Sequence, residues 1–430
     1  MNLLTKSQKQ IRVFISMLVL VSVSFFACQD AIVEEQLVVD SHAEQLESIN
    51  AEPIPEQYIV VYNESSLNFR IDPADYEGGY ELLRKETDLL LRTHAIHSDS
   101  VKQIFALGLN GFVVKMSAES KDKLQADPKV RKIVQDKVRF LSVMQGNRPI
   151  RDQNIPEVEN TQTIPWGVSR VGGPFDYKGT RKVWVIDTGI DLNHPDLNVD
   201  TRHGFDAYNP RRDWNFDDEH GHGTHVAGTI GALNNHFGVV GVAAGVPVVP
   251  VKVFFGPNAQ ATDSGILAGV EYVGKMGRPG DVANLSFGWQ DEEYTLLDEA
   301  VLQISERKKI WMVIASGNSR LPGNTFTPAR VNGNYTITVS AIDQADRLAW
   351  FSHFGYPIKF GAPGVNVFST WRGGAYRNSA GTSMAAPHIA GLRVFGSLET
   401  DGYVKNYPID YLDPIAIRTR GAEGMGYIKP

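Results

Sequence analysis

Cysteine is almost missing: Cys28 is the one cysteine in 430 residues. A lone thiol closes no intramolecular disulfide and builds no cysteine-based metal site, so neither kind of staple supports this fold. Positive charge is also in short supply. Lys and Arg number 42 against 49 Asp and Glu, for a formal net charge of −7, and no long like-charge block interrupts the chain. A nucleic-acid partner would call for a basic face, so that class is set aside. Internal repeats and low-complexity tracts are absent. The apolar run over residues 13–27 is too short to span a bilayer comfortably. What remains is an ordinary globular composition, 42% hydrophobic and 21% charged, long enough for a large core and two or three domains.

The amino terminus has its own logic. Lys6, Lys9 and Arg12 precede the run VFISMLVLVSVSFFA, which ends at Ala27 and is followed by Cys28 and then by polar and acidic residues. This resembles a bacterial lipoprotein signal. The resemblance implies a signal peptide over residues 1–27, lipidation of Cys28, and attachment to a membrane through that lipid. An ordinary secretory signal with an incidental cysteine is the alternative, and either reading takes the chain out of the cytoplasm.

Residues 28–56 are acidic, glycine-free and weakly periodic, as a tether would be. Residues 57–144 carry sharper patterns: a strand in QYIVVYN, helical spacing over residues 80–93, and strands in VKQIFAL and GFVVKM joined by a Gly-Leu-Asn turn. A capped short helix in SAESKDKLQADP and a last extended run follow. The order β-α-β-β-α-β predicts a small α+β, ferredoxin-like domain, which by itself says nothing about function. Residues 145–161, polar with prolines at 149 and 156, read as a linker. Over residues 162–398, near-continuous apolar strands such as KVWVID, VANLSFG and IWMVIASG alternate with helical stretches. That pattern predicts a three-layer α/β domain with a mostly parallel sheet covered on both faces. Residues 399–430 show little helical period and form a C-terminal extension.

Within the first of those strands lies Asp187-Thr188-Gly189. A D-T-G after an apolar strand suits an aspartic protease, which needs a second such motif so that two carboxylates can share a proton. Asp263-Ser264-Gly265 is a candidate, but polar NAQAT precedes it and a βα alternation is the wrong architecture for an all-β bilobal enzyme. The competing reading needs a histidine base and a serine nucleophile. HGHGTHVAGTI supplies His220, His222 and His225, and AGTSMAAPHIAG places Ser383 at the start of a helix, where positive potential favours a developing anion.

These three motifs, in the order Asp, His, Ser on alternating βα segments, are similar to those of the subtilisin family of serine endopeptidases. The resemblance spans roughly residues 161–398, and residues 58–144 resemble the inhibitory propeptide of the same family. It implies a peptide-hydrolysing enzyme that works through an acyl-enzyme. Ser383 would attack the scissile carbonyl. His222, the histidine that begins H-G-T-H-V-A-G, would move the proton, and Asp187 would hold the imidazole. Asn318 in VIASGNS would be the side-chain donor to the oxyanion, with His220 and His225 structural. Polypeptide substrates would lie between Ser286-Phe287-Gly288 and Ala315-Ser316-Gly317, with the opposite edge near residues 259–261. Relatives often bind structural calcium, and the matching positions here are Gln162, Asp196 and Asn235 with the carbonyls of Leu233, Phe237 and Val239. The propeptide would act as an intramolecular inhibitor with its end in the cleft, which points to a first cut after Met144. No acidic residue among 315–317 invites a basic side chain, and Phe326 would limit pocket depth, so medium apolar residues are expected at P1. A catalytically silent scaffold that keeps the fold is the rival class, although the chain retains every residue of the triad and the oxyanion donor.

Overall fold

The computed structural model describes residues 51–141, 161–209, 215–291, 294–409 and 412–418. The signal, Cys28, most of the tether, Met144, all but residue 161 of the linker and the end of the C-terminal extension lie outside the described residues. Two modules, both within the compact unit Ala51–Pro430, follow in chain order.

The N-terminal module runs β1 (Glu52–Tyr62), α1 (Tyr76–Thr93), β2 (Val101–Phe105), β3 (Gly111–Lys115), α2 (Ala118–Gln125) and β4 (Val130–Phe140). Strand β1 lies between β3 and β4, antiparallel to both, and β2 flanks β3. Helix α1 buries Leu83, Leu90 and Leu91 against Tyr62, Phe112 and Leu124. It begins before the periodic stretch that predicts it, because the Asp75 carboxylate accepts the Gly78 amide at 3.0 Å and caps a turn containing Gly78 and Gly79. Strand β1 likewise starts at Glu52, inside the expected tether. Pro53 pairs with Lys137 of β4 and a bulge separates Pro53 from Tyr58, a place where a strand tolerates proline.

The C-terminal module is built on a nine-stranded sheet. Its strands are β5 (Val183–Asp187), β6 (Val248–Lys252), β8 (Val282–Leu285), β9 (Trp311–Ala315), β10 (Thr336–Ile342), β11 (Ile358–Pro363), β14 (Glu399–Tyr403) and β15 (Pro414–Ile417), with Phe205–Asp206 at one edge. The order is β14-β15-β11-β10-β9-β8-β5-β6-(Phe205–Asp206), parallel throughout except between β14 and β15. Successive side chains of β5 go to opposite faces. Val183 and Val185 share one core cluster with Val226, Ile230 and Ile389 of α3 (His222–Gly231) and α6 (Thr382–Arg393), whereas Trp184 and Ile186 share another with Ile266 and Val301 of α4 (Asp263–Met276) and α5 (Leu296–Lys308). Both faces are buried, which is why these strands read as unbroken apolar runs. The short strand β7 (Gln260–Thr262) leads into α4, and the hairpin β12 (Val367–Trp371) and β13 (Ala375–Ser379) precedes α6.

Among the described residues beyond 398, the chain adds strands rather than helix. Strand β15 joins β11 beside the edge strand β14, and the buried Asp413 carboxylate accepts the Ser340 hydroxyl at 2.6 Å and the Tyr407 hydroxyl at 2.7 Å. The N-terminal module packs on α4 and α5, sharing one core through Val61, Leu107 and Val113. Its strand β4 also pairs antiparallel with β7, matching Phe140 to Gln260 and Arg139 to Ala261.

Candidate active site

Asp187 ends β5, His222 opens α3 and Ser383 is the second residue of α6. In an open parallel sheet, the carboxyl ends of the strands are where a cleft forms. The His222 Nδ1 lies 2.8 and 2.9 Å from the two Asp187 carboxylate oxygens. Gly223 permits this approach: a Cβ there would fall 2.1 Å from the Gly189 carbonyl. Both partners are buried. Burial pulls the His222 imidazole down, but the charge and hydrogen bond of Asp187 outweigh it and hold the group above its ordinary value. Nδ1 therefore donates to Asp187, which leaves Nε2 as the basic nitrogen; it has no hydrogen-bond partner among the described residues.

Ser383 is not hydrogen-bonded to His222. Its hydroxyl donates to the Ser286 carbonyl at 3.0 Å. A loose nucleophile–base pair is common without substrate and tightens when one binds. The return contact has a sequence cause. Pro387 lies one helical turn after Ser383 and has no N–H, so the Ser383 carbonyl loses its helical donor. The Ser286 hydroxyl takes that place at 2.8 Å. Asn318 is anchored by its carboxamide oxygen, which accepts the Thr382 amide at 2.9 Å and the Thr382 hydroxyl at 3.0 Å. Its NH2 end is left as the donor. Gly317, at φ 114°, turns the chain from β9 towards this point.

The other histidines differ. His225 Nε2 donates to the carbonyls of Val367 and Arg377 at 3.1 and 3.0 Å, and burial pushes its ring down to about 3. His220 Nδ1 accepts the His222 amide at 3.3 Å, and its ring is lowered by burial and by its neighbour His222. Asp263 opens α4 and pairs with Arg139 at 2.8 Å, so it shares no proton with Asp187. One residue escaped the sequence reading. The buried Asp218 carboxylate collects the Thr188 hydroxyl, the amides of His220, Gly221 and Thr224, and the Thr224 hydroxyl at 2.8, 3.0, 2.8, 3.0 and 2.5 Å. It ties the loop carrying Asp187 to the start of α3. Its only signal was its place just ahead of HGHGTH.

Ser286, Phe287 and Gly288 follow β8, while Ala315 closes β9 and Ser316 and Gly317 continue from it. Phe287 buries its ring against Phe254 and Trp289. A Cβ on Gly288 would meet the Phe326 ring and one on Gly317 would meet the His353 ring, each at 2.4 Å. These two rings stand edge to face at 4.9 Å. Burial pushes His353 down to about 3, so the imidazole is neutral. On the opposite edge, the Leu141 amide donates to the Ala259 carbonyl at 3.0 Å, and from the Gly288 side the Trp289 indole donates to the Phe140 carbonyl at 3.1 Å.

A second cluster surrounds Gln162. Its Nε2 lies 2.7, 3.1, 3.4 and 3.1 Å from the Leu233 carbonyl, Asn235 Oδ1 and the carbonyls of Phe237 and Val239. Asp196 is fully buried beside it and accepts the Asn235 NH2 at 2.8 Å and the Val239 amide at 3.0 Å. Four oxygens thus converge on one electropositive atom, beside a buried carboxylate. This donor set is all oxygen, the kind that suits a hard cation.

Comparison with known proteins identifies the family by sequence. The family model described as Subtilase family matches residues 179–394. The chain is 34% identical over 349 residues to M-protease of Shouchella clausii, covering 80% of this chain and 81% of that protein. It is 42% identical over 235 residues to Subtilisin Savinase of Lederbergia lenta, covering 54% of this chain and 82% of the relative. A crystal structure of a cold adapted subtilisin-like serine proteinase aligns at a TM-score of 0.47 and 32% identity, over 54% of this chain and 83% of that one. The chain belongs to the subtilase family and is a serine endopeptidase.

Proposed function

We propose that the chain is an exported, self-processing endopeptidase that hydrolyses peptides through Ser383, His222 and Asp187. The observation that carries this reading is the buried Asp187–His222 pair at 2.8 Å, with the His222 Nε2 uncommitted, at the carboxyl end of the sheet where Ser383 reaches Ser286 just past β8. In the reaction Ser383 Oγ adds to the scissile carbonyl and its proton passes to His222 Nε2. The imidazolium, stabilised by Asp187, then returns the proton to the leaving amine. The Ser383 amide and the Asn318 NH2 stabilise the oxyanion. Water repeats the sequence to release the acyl group. Substrate adds as a strand alongside residues 259–261, the edge now occupied by β4.

The N-terminal module serves as the inhibitory propeptide, with β4 leading into the cleft and the first cut after Met144. Phe326, packed under Gly288, keeps the primary pocket shallow and favours medium apolar P1 residues. The leader and Cys28 take the protein to the cell envelope as a lipoprotein. Ser383→Ala should accumulate as an unprocessed chain in a protease-free host, while wild type yields a product whose amino terminus is Gln145. A phosphonate probe should label only wild type. Normal processing of the alanine variant would defeat self-cleavage, and a first cut far from residues 141–146 would defeat the assignment of Met144.

Calcium fits the oxygen cluster around Gln162. Asp196 and Asn235 with the carbonyls of Leu233, Phe237 and Val239 would hold the ion, and the Gln162 Oε1 would join them. The ion supplies stability rather than chemistry, because a ligand bound only to the native state stabilises it by mass action. Chelation should therefore lower the melting temperature of the mature enzyme by several degrees, on the order of 1–3 kcal/mol at the midpoint. Asp196→Ala should abolish most of that response. Identical melting with and without chelator, after full metal removal, rules the site out.

A further inference from the structure

Strand β4 enters the C-terminal module with residues 139 and 141 turned into it. Arg139 is only 2% exposed and Leu141 only 7%, whereas Phe140 between them is half-buried. Arg139 reaches two carboxylates. Its Nε donates to Asp263 at 2.8 Å, and its Nη2 donates to Asp263 at 3.1 Å and to Asp291 at 2.9 Å. The guanidinium carbon lies 5.5 Å from the centre of the Trp289 ring and 5.1 Å from that of Tyr294. The Tyr294 hydroxyl is buried with no partner among the described residues. Among the described residues, the only other cation on this pair is Lys137, 3.4 Å from Asp291, and it belongs to the same strand.

Acids and rings therefore belong to one module and both cations to the other. When β4 departs, Asp263 and Asp291 are left side by side without a positive partner. Burial already pushes Asp263 up to about 6 even with Arg139 in place. Leaving a buried carboxylate unpaired is costly, so the emptied pair favours recapture of a cation. The planar fork of contacts, flanked by aromatic rings, suits a guanidinium and not an ammonium. The track is that of substrate, because Arg139 pairs with Ala261 in the same antiparallel register that brings Leu141 to Ala259.

We propose that Asp263 and Asp291, backed by Trp289 and Tyr294, form a subsite for an arginine of the peptide substrate, two residues upstream of the residue that fills the Leu141 position. Counted back from a cut after Met144, this is P6. The inference rests on the reading of β4 as a strand lying where substrate lies. It makes peptides with a basic residue well upstream of an apolar cleavage site the favoured class.

The test uses the matured full-length product and quenched peptides with the sequence of residues 138–147, amino-acetylated, carrying Arg, Lys, citrulline or Glu at position 139. The Arg peptide should exceed the citrulline peptide in kcat/KM by roughly tenfold or more, mostly through KM, with Lys between them and Glu lowest. In Asp263→Asn/Asp291→Asn the Arg preference should collapse while the citrulline peptide is cut as before. Asp291→Asn alone should halve the effect on a logarithmic scale, which covers failure of the double variant to fold. Equal cleavage of the Arg and citrulline peptides by phosphonate-reactive wild type overturns the subsite and leaves the protease reading intact. No cleavage of any peptide and no phosphonate labelling overturns both.

Discussion

Asp187→Asn, matured in trans by a tagged wild-type helper that is then removed, should turn peptides over about 10⁴-fold more slowly at neutral pH. The reason lies in which nitrogen of His222 carries the proton. The Asp187 oxygens, at 2.8 and 2.9 Å, accept the Nδ1 proton and leave Nε2 basic. An asparagine NH2 would donate to Nδ1 instead, placing the proton on Nε2 and removing the base that Ser383 needs. The pH profile supplies a second readout. His222 must be neutral to act, and its pKa in the wild type is held above the ordinary imidazole value. Wild-type kcat/KM should therefore fall with decreasing pH through a midpoint above that ordinary value. In Asp187→Asn the raising influence is gone and burial remains, so the residual activity should keep its acid limb at lower pH. A loss below tenfold, or an unmoved limb, contradicts the assignment.

Asn318→Asp should lower kcat by about 10²–10³-fold with little change in KM or melting temperature, the scale known for a subtilisin oxyanion donor. The choice of aspartate follows from the geometry. The Asn318 oxygen accepts from the Thr382 amide and hydroxyl, and an aspartate keeps that acceptor in place. Only the NH2 is lost, replaced by a negative charge facing the developing oxyanion. Asn318→Ala removes both functions and should also loosen the start of α6. If the aspartate variant retains wild-type kcat while the alanine variant is slow, Asn318 is an anchor for Thr382 and not an oxyanion donor.

Local order was legible wherever a residue's neighbours in sequence were also its physical constraint. The period-2 and near-continuous apolar runs located the sheet strands β5, β8 and β9, because both faces of each strand are covered. Strand β1 began earlier than its composition suggested, since Pro53 is accommodated by a bulge against β4 that no local pattern announces. Residues 399–403 and 414–417 carried no helical period because they are a strand pair whose hydrogen bonds go to β11 and to each other. Asp218 was silent for a similar reason: an aspartate that collects five donors looks, in one dimension, like any loop aspartate.

The sequence by itself determined the motifs that carry the chemistry, the order in which they occur and the βα alternation that presents them. These are short-range features, set by side-chain identity and by the period of burial. The tertiary structure alone decided three further matters. It brought His222, the histidine the motif had already singled out, within hydrogen-bonding distance of Asp187 by joining a strand end to a helix start. It showed why Pro387 in α6 requires Ser286: the carbonyl it orphans is satisfied by a hydroxyl just past the end of β8, 97 residues away in sequence. And it placed Arg139 of one module between Asp263 and Asp291 of the other. Charges so far apart in sequence become partners only when folding removes the water between them, and no reading of neighbours along the chain contains that event.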